Sequence, residues 1–335
     1  MIEIFKGGSA DDVWLEAADR FRSRGNSRSQ TSRAGQTHEI LHAGLVIEDP
    51  RQRWVVSRSP PLNPAFAIAE VVWIITGRRD SEFLNYWNTK LSQFAGVCEE
   101  YHGAYGYRLR GHFGIDQLER AYQALSTNSE SRQIVLQIWD AVADMPTPDG
   151  QPTSEDIPCN VMSLLKVRDG KLEWMQIIRS NDIFLGLPYN LVQFTYLQEV
   201  LAGWLGLGLG SYNQMSDSLH VYDSALNDVL SSSKVTHGAN RDMLCERKEL
   251  SERLFRELGD RISELASQKV SRGKLEARKN WKQAPVAYQN LLRVIAAEAA
   301  RKAKEVELAH EIISSCTNPI LTQLWERWQR RTATK

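Results

Sequence analysis

Hydrophobic spacing divides the chain into two unlike parts. Up to about residue 233, short strand-like and helix-like apolar runs follow one another. From about Lys234, Arg, Lys and Glu recur at helical spacing with few glycines, and long amphipathic helices are predicted over 240–311. MIEIF (1–5) reads as a strand and Ala10 to Arg22 as an amphipathic helix, with Asp11 and Asp12 favouring its N-terminus. The polar, small-residue stretch Gly25 to Gln36 reads as a mobile loop, and His38 to Glu48 as a strand. PAFAIAEVVWIITG (64–77) predicts a strongly apolar helix opened by Pro64 and ended by Gly77. An aromatic-rich helix follows over 81–95. Then comes a glycine-punctuated loop, YHGAYGYRLRG (101–111), with the look of a substrate-facing segment.

Ile115 to Leu125 predicts a helix, Gln133 to Trp139 a buried strand, and 140–156 a proline-rich polar loop. Asn160 to Val167 and Leu172 to Arg179 read as two strands joined by the turn dipeptide Asp169-Gly170. An apolar helix over Asn190 to Trp204, a glycine-rich GLGLGS and a polar-to-apolar SDSLHVYDSAL complete the first part. The pattern predicts an α+β body, 1–233, with an α-helical C-terminal extension, 234–335.

Glu70 breaks the pattern of its helix. An unpaired buried carboxylate costs several kcal/mol unless it is paired or protonated. Surface exposure and a functional purpose both fit one such residue, and the apolar neighbours on either side favour purpose. A second anomaly is the run PCNVMSLLKVRDGKLEWMQIIRSNDIFLGLPYN, Pro158 to Asn190. It gathers a thiol, a guanidinium, a hydroxyl, a carboxylate and an amide. Cys159 is the one cysteine surrounded by such partners; a nucleophile and an inert buried thiol are both open on that ground alone.

Composition narrows the chemistry. The 335 residues carry 41 basic and 41 acidic side chains, so no global field draws nucleic acid or a membrane, and anion recognition must be local. Cys98, Cys159, Cys245 and Cys316 show neither CxxC pairing nor metal-ligand spacing, so no metal is expected. The first residues lack a signal-peptide layout, and no apolar run reaches the roughly 18 residues that span a bilayer. A cytoplasmic enzyme with reduced thiols is the expectation.

From Arg33 to Tyr222 the motifs resemble the thymidylate synthase family. RSNDIFLGLPYN is similar to that family's Arg-Ser-x-Asp-x-x-Leu-Gly-x-Pro-Phe/Tyr-Asn and follows Pro158-Cys159 at the matching distance. Glu70-Val-Val-Trp73 with Gly77, GAYGYRLR, Ser131-Arg132 and His220-Val-Tyr222 support it. The resemblance implies a mixed sheet surrounded by helices, a homodimer, a pyrimidine nucleotide substrate and 5,10-methylenetetrahydrofolate as co-substrate. It implies Cys159 as the nucleophile that adds to C6 of a uracil ring, so that C5 attacks a one-carbon electrophile.

The resemblance also assigns Arg33, Arg179 and Ser180 to the phosphate, with Arg132 supplied across the dimer interface. Clustered guanidiniums suit a dianion because each gives bidentate, charge-assisted bonds. Asn190 resembles the base-reading amide, able to donate to O4 and accept from N3–H of uracil, where cytosine presents the opposite pattern. His220 and Tyr222 resemble sugar ligands, Glu70 the carboxylate that relays protons near O4, and Tyr105 the tyrosine beside the nucleophile. Asp182 resembles the pterin ligand, and Trp87 an aromatic guarding the intermediate.

Three positions depart from the family pattern. Asn160 stands in the catalytic segment where His is usual, Ile178 where Gln is usual, and Gln133 where a second arginine is usual. After Tyr222 nothing resembles the family's closing strand and tail; the chain ends in a basic WERWQRRTATK. Water exclusion decides whether the exocyclic methylene takes hydride, giving methyl, or water, giving hydroxymethyl. The resemblance implies a methyltransferase of the thymidylate synthase type acting on a uracil nucleotide such as dUMP; a hydroxymethylase with the same nucleophile and nucleotide binding without turnover are the alternatives.

Overall fold

The computed structural model describes residues 2–22, 27–32, 35–266, 273, 275 and 281–333. In chain order its main elements are β1 (Glu3–Gly7), α1 (Ala10–Arg20), β2 (Arg28–Ser32), β3 (Gly35–Ile47) and α2 (Pro64–Ile75). They continue with α3 (Gln117–Thr127), β4 (Val135–Gln137), β5 (Asn160–Arg168), β6 (Lys171–Ile178), β7 (Asn181–Asp182), α4 (Leu187–Leu205), β8 (Gly208–Tyr222) and α5 (Asp223–Ser231). The C-terminal part holds α6 (Lys248–Leu265), α7 (Val286–Lys302), α8 (Val306–Ser314) and α9 (Pro319–Ala333).

Among the described residues the strands form one mixed eight-stranded sheet. Its order is β1-β3-β8-β6-β5-β4, with β2 joined to β3 and β7 to β8. The pairs β1/β3, β6/β8 and β7/β8 are parallel and the rest antiparallel. This is the predicted α+β architecture of a mixed sheet with surrounding helices and a helical C-terminal part.

Period-2 alternation sorts the sheet's two faces. Leu165, Trp174 and Tyr212 lie in register across β5, β6 and β8 and are buried. On the same face α4 is tied down by Gln198, whose Nε2 donates to the carbonyls of Leu172 at 2.8 Å and Ser211 at 3.2 Å. The opposite face carries Met162, Leu164, Met175, Ile177 and Met215, all half-buried.

Helix α2 forms as its sequence predicts: the Asn63 side chain accepts from the Phe66 N–H at 3.1 Å, and Pro64 occupies the first turn. It is apolar nearly all round because it is covered on more than one side. Helix α6 lies against it, with Gly259 opposite Val72. Leu254, Phe255, Leu292 and Trp325 of the C-terminal helices join the α2 and α4 side chains in one core. Arg327 and Arg331 of α9 donate to the carbonyls of Arg58 and Pro61, both at 3.4 Å, holding the segment that leads into α2. Each large apolar side chain buried there contributes about 1.5–3 kcal/mol.

Five local expectations change. The buried strand expected over Gln133 to Trp139 is the three-residue edge strand β4, with Val135 exposed. The described part of Gly25 to Gln36 is a hairpin arm, β2 with the start of β3, rather than a loop; its residues are mostly exposed on both faces, so no apolar alternation announces it. The 81–95 segment is two short helices, Ser81–Asn85 and Ser92–Ala95, rather than one. The 101–111 segment is helical from Tyr105 and continues into a π-helical turn, Arg108–His112, rather than an open loop. Most of GLGLGS, from Gly208, and most of SDSLHVYDSAL lie in the 15-residue strand β8, which runs through the middle of the sheet.

Candidate active site

Cys159 sits immediately before β5, half-buried and outside any disulfide. Its backbone is clamped by Arg179: the Arg179 N–H donates to the Cys159 carbonyl at 2.9 Å, Nε to the Pro158 carbonyl at 3.0 Å, and Nη2 to the Ile157 carbonyl at 3.3 Å. The guanidinium also lies 5.1 Å from the Trp139 ring centroid. Among the described residues its Nη1 has no hydrogen-bond acceptor, which leaves part of the fork for an anion. Ser180, half-buried, follows it directly.

A β-bulge between Asn160 and Met162 sets what β5 presents. Asn160 pairs with Ile178 and Met162 with Ile177, so Val161 is the extra residue. The Val161 carbonyl accepts from the N–H groups of both Ile138 and Trp139, at 2.9 and 3.0 Å. In an unbroken strand Asn160 would share the half-exposed face of Met162; the bulge turns it inward. There Asn160 Nδ2 donates to Asn190 Oδ1 at 3.3 Å, and Asn160 Oδ1 accepts from Gln176 Nε2 at 2.9 Å. Asn190, near the start of α4, donates onward from Nδ2 to Asn181 Oδ1 at 3.2 Å.

Tyr105 belongs to the same cluster. Its hydroxyl hydrogen-bonds Asn160, and burial followed by the neighbouring Cys159 charge pushes its pKa well up, so it stays protonated. The turn that carries it packs tightly on the end of α2: a Cβ at Gly106 would lie 2.4 Å from the Ile74 carbonyl oxygen. Glu70 projects from α2 with Oε2 buried and without a hydrogen-bond partner among the described residues. Burial pushes its carboxyl up to about 8, against the pull of a hydrogen bond from Gln193.

Further buried polar atoms lack a hydrogen-bond partner among the described residues. Asp182 Oδ1 accepts from the N–H groups of Phe184 and Leu185 at 2.6 and 2.7 Å, while Oδ2 is buried and unpartnered. Burial raises the Asp182 pKa. Trp87 is buried with its indole N–H likewise unpartnered. Arg58, stacked 4.0 Å over Phe184, has unpartnered buried Nε and Nη1. His220 lies in register with Asp182 across β7/β8, and its ring meets Tyr222 edge-on at 5.4 Å.

Cys159, Asn160, Tyr105, Arg179 and Asn190 are therefore brought together, with Ser180, Asp182 and His220 on the adjoining β6–β7–β8 segments. Arg132 is exposed on the loop before edge strand β4. Arg33 lies outside the described residues. Reading the sequence did not single out Gln176, Trp174, Asn181, Gln193 or Arg58. Gln176 and Asn181 carried a signal, being polar residues within an otherwise apolar, motif-bearing stretch.

A family model described as thymidylate synthase matches residues 26–253. The chain is 35% identical over 182 residues to a deoxyuridylate hydroxymethyltransferase of Pseudomonas phage M6, covering 54% of this chain and 50% of that protein. It is 34% identical over 229 residues to a deoxyuridylate hydroxymethyltransferase of Bacillus phage SP01, covering 65% of this chain and 58% of that one. With a thymidylate synthase of Francisella tularensis it shares 28% identity over 172 residues, 48% of this chain and 62% of that protein. The chain thus spans about half the length of the two phage proteins. The matched segment runs from the β2 arm through α2, the Pro158-Cys159 pair and β8 into α6, so the chain belongs to the thymidylate synthase family.

Proposed function

We propose that the chain transfers a one-carbon unit to C5 of a deoxyuridylate-type nucleotide, with Cys159 as nucleophile and 5,10-methylenetetrahydrofolate as co-substrate. The observation that carries this reading is the Cys159 segment clamped by Arg179 beside the amides of Asn160 and Asn190. Cys159 Sγ adds to C6 as the thiolate, the electron pair moves onto C5 and O4, and C5 becomes the attacking carbon; once the new C5–carbon bond has formed, the C5–H bond breaks with loss of its proton, and the C6–S bond breaks last to restore the ring double bond. Glu70, protonated near neutral pH, hands a proton toward O4 and takes it back when the thiol leaves.

Asn190 reads the ring, Tyr105 holds Asn160 beside the thiol, and Arg179 with Ser180 and Arg33 takes the phosphate. His220 and Tyr222 face the sugar. The folate supplies a one-carbon electrophile when bound. Asp182 Oδ2 and the Trp87 indole N–H are each buried without a partner among the described residues, and we assign them to the pterin as acceptor and donor. The half-buried sheet face of Met162, Leu164, Met175, Ile177 and Met215 supports a homodimer in which Arg132 of each protomer reaches the other's phosphate. In this scheme residues 1–233 form the chemical unit, and the helices of 234–335 brace α2.

Greater identity to the two phage hydroxymethyltransferases than to the Francisella enzyme favours water as the final acceptor and a hydroxymethyl product. The methyl product expected from the motif set is the second reading. Mass spectrometry of the nucleotide after incubation with dUMP and methylenetetrahydrofolate separates hydroxymethyl, methyl and unchanged substrate. Unchanged substrate overturns the transferase reading. 5-Fluoro-dUMP with the folate should form a covalent adduct that disappears in Cys159→Ala; an adduct that persists removes Cys159 from the role.

A further inference from the structure

Asn190 lies on a buried chain of hydrogen bonds that begins at an indole. Trp174 Nε1 donates to Gln176 Oε1 at 3.1 Å, and the Ser163 hydroxyl donates to the same oxygen at 2.6 Å. Gln176 Nε2 donates to Asn160 Oδ1 at 2.9 Å, Asn160 Nδ2 to Asn190 Oδ1 at 3.3 Å, and Asn190 Nδ2 to Asn181 Oδ1 at 3.2 Å. Trp174, Gln176 and Asn160 are at most 1% exposed and Asn190 is 7% exposed, so these bonds are shielded from bulk water.

The direction of this chain follows from one group. An indole nitrogen can only donate, so the Gln176 atom facing it must be the oxygen, whatever orientation would suit the other amides. Gln176 then presents NH₂ to Asn160, Asn160 presents oxygen to Gln176 and NH₂ to Asn190, and Asn190 must turn its oxygen toward Asn160. The far end imposes nothing. Asn181 Nδ2 donates to Ser216 Oγ at 2.9 Å, and a hydroxyl can reverse its proton to suit either orientation.

We propose that Gln176, anchored by Trp174, is a specificity-determining positioning residue that fixes through Asn160 which end of the Asn190 amide donates. The proposal rests on the reading that Asn190 faces the pyrimidine. With both protein bonds made, Asn190 keeps one lone pair on Oδ1 and one proton on Nδ2, in fixed order. That order is complementary to N3–H beside O4 of uracil. A flipped amide exchanges donor and acceptor and matches N3 beside the exocyclic amine of cytosine. The flip places two donors face to face at Trp174, so the indole, which does not contact the base, enforces the choice between rings.

The test compares binding of dUMP and dCMP to full-length wild type, Trp174→Phe, Gln176→Met and Asn190→Asp by titration calorimetry. Trp174→Phe removes the fixed donor and keeps the ring, and Gln176→Met removes the relay at similar volume. Each should lower the ratio of dUMP to dCMP affinity by about tenfold or more, the size expected when one buried hydrogen-bond mismatch no longer penalises the flip. A purely structural role would weaken both nucleotides alike and leave the ratio unmoved. Asn190→Asp should shift preference toward dCMP; if it does not, the reading of Asn190 as base contact fails. If it does, and the ratio in Trp174→Phe and Gln176→Met equals that of wild type, the positioning role is overturned.

Discussion

Replacing Glu70 by glutamine keeps the side chain's shape and removes the proton its buried position forces it to carry. The carboxyl titrates at about 8 in the folded chain against an ordinary value of 4.5, because Oε2 is buried without a partner. Between those values the native state retains a proton that the unfolded state has released, so its stability falls as pH rises. At 1.36 kcal/mol per pH unit, wild type loses about 4 kcal/mol relative to Glu70→Gln between pH 5 and pH 8. Above the folded value both states are ionised and the difference levels off. Urea unfolding of the two proteins, followed by tryptophan fluorescence at intervals across that range, gives the difference directly. A difference that stays constant with pH would refute the reasoning, since Glu70 would then ionise like a surface carboxylate. The same substitution should slow turnover roughly 10²- to 10⁴-fold, the usual share of a positioned acid–base group.

Two further outcomes follow from the packing around the site. Arg53 and Glu199 form a fully buried pair at 2.7 Å, and Glu199 also accepts from the Leu244 N–H at 3.2 Å. Arg53→Met should cost about 3–5 kcal/mol in urea unfolding by stranding the carboxylate, and Arg53→Met/Glu199→Leu should recover most of it. Gly106→Ala places a methyl against the Ile74 carbonyl and should displace Tyr105. Stopped-flow measurement of adduct formation with 5-fluoro-dUMP should then slow about tenfold or more, and a wild-type rate would show that the turn tolerates the shift.

Much of this was legible in the sequence where periodicity and turn chemistry agree. The β5–β6 hairpin follows from alternation and Asp169-Gly170, and α2 from Asn63, Pro64 and a continuous apolar run. The motif residues around Cys159 converge because the fold brings β5, β6, β7 and the start of α4 to one place. What stayed hidden has physical causes. In β8, Gly208 and Gly210 supply no side chains to alternate, and in the β2 arm both faces are polar. The amide chain was concealed by inversion: Asn160, Ser163, Gln176 and Gln214 are polar at buried positions, so the polar phase of the strand is partly the inside phase. Met162, Met175 and Ile177 supply the apolar phase on the half-exposed side. Binary patterning assumes a dry interior, and this interior is organised by hydrogen bonds.

The bulge at Val161 has a consequence for how such a site can change over time. Cys159 lies on one side of the extra residue, and the regularly paired part of β5, from Met162 onward, lies on the other. A local change in twist at the bulge can rotate the thiol while β5 from Met162 onward stays in register with β6. Bond formation and ring selection therefore have separate points of adjustment on a segment only a few residues long. Substitutions at Pro158 or Val161 can alter reactivity while Asn160 and the Trp174–Gln176 anchor preserve the ring, and changes at the anchor can admit a new ring to an unchanged nucleophile.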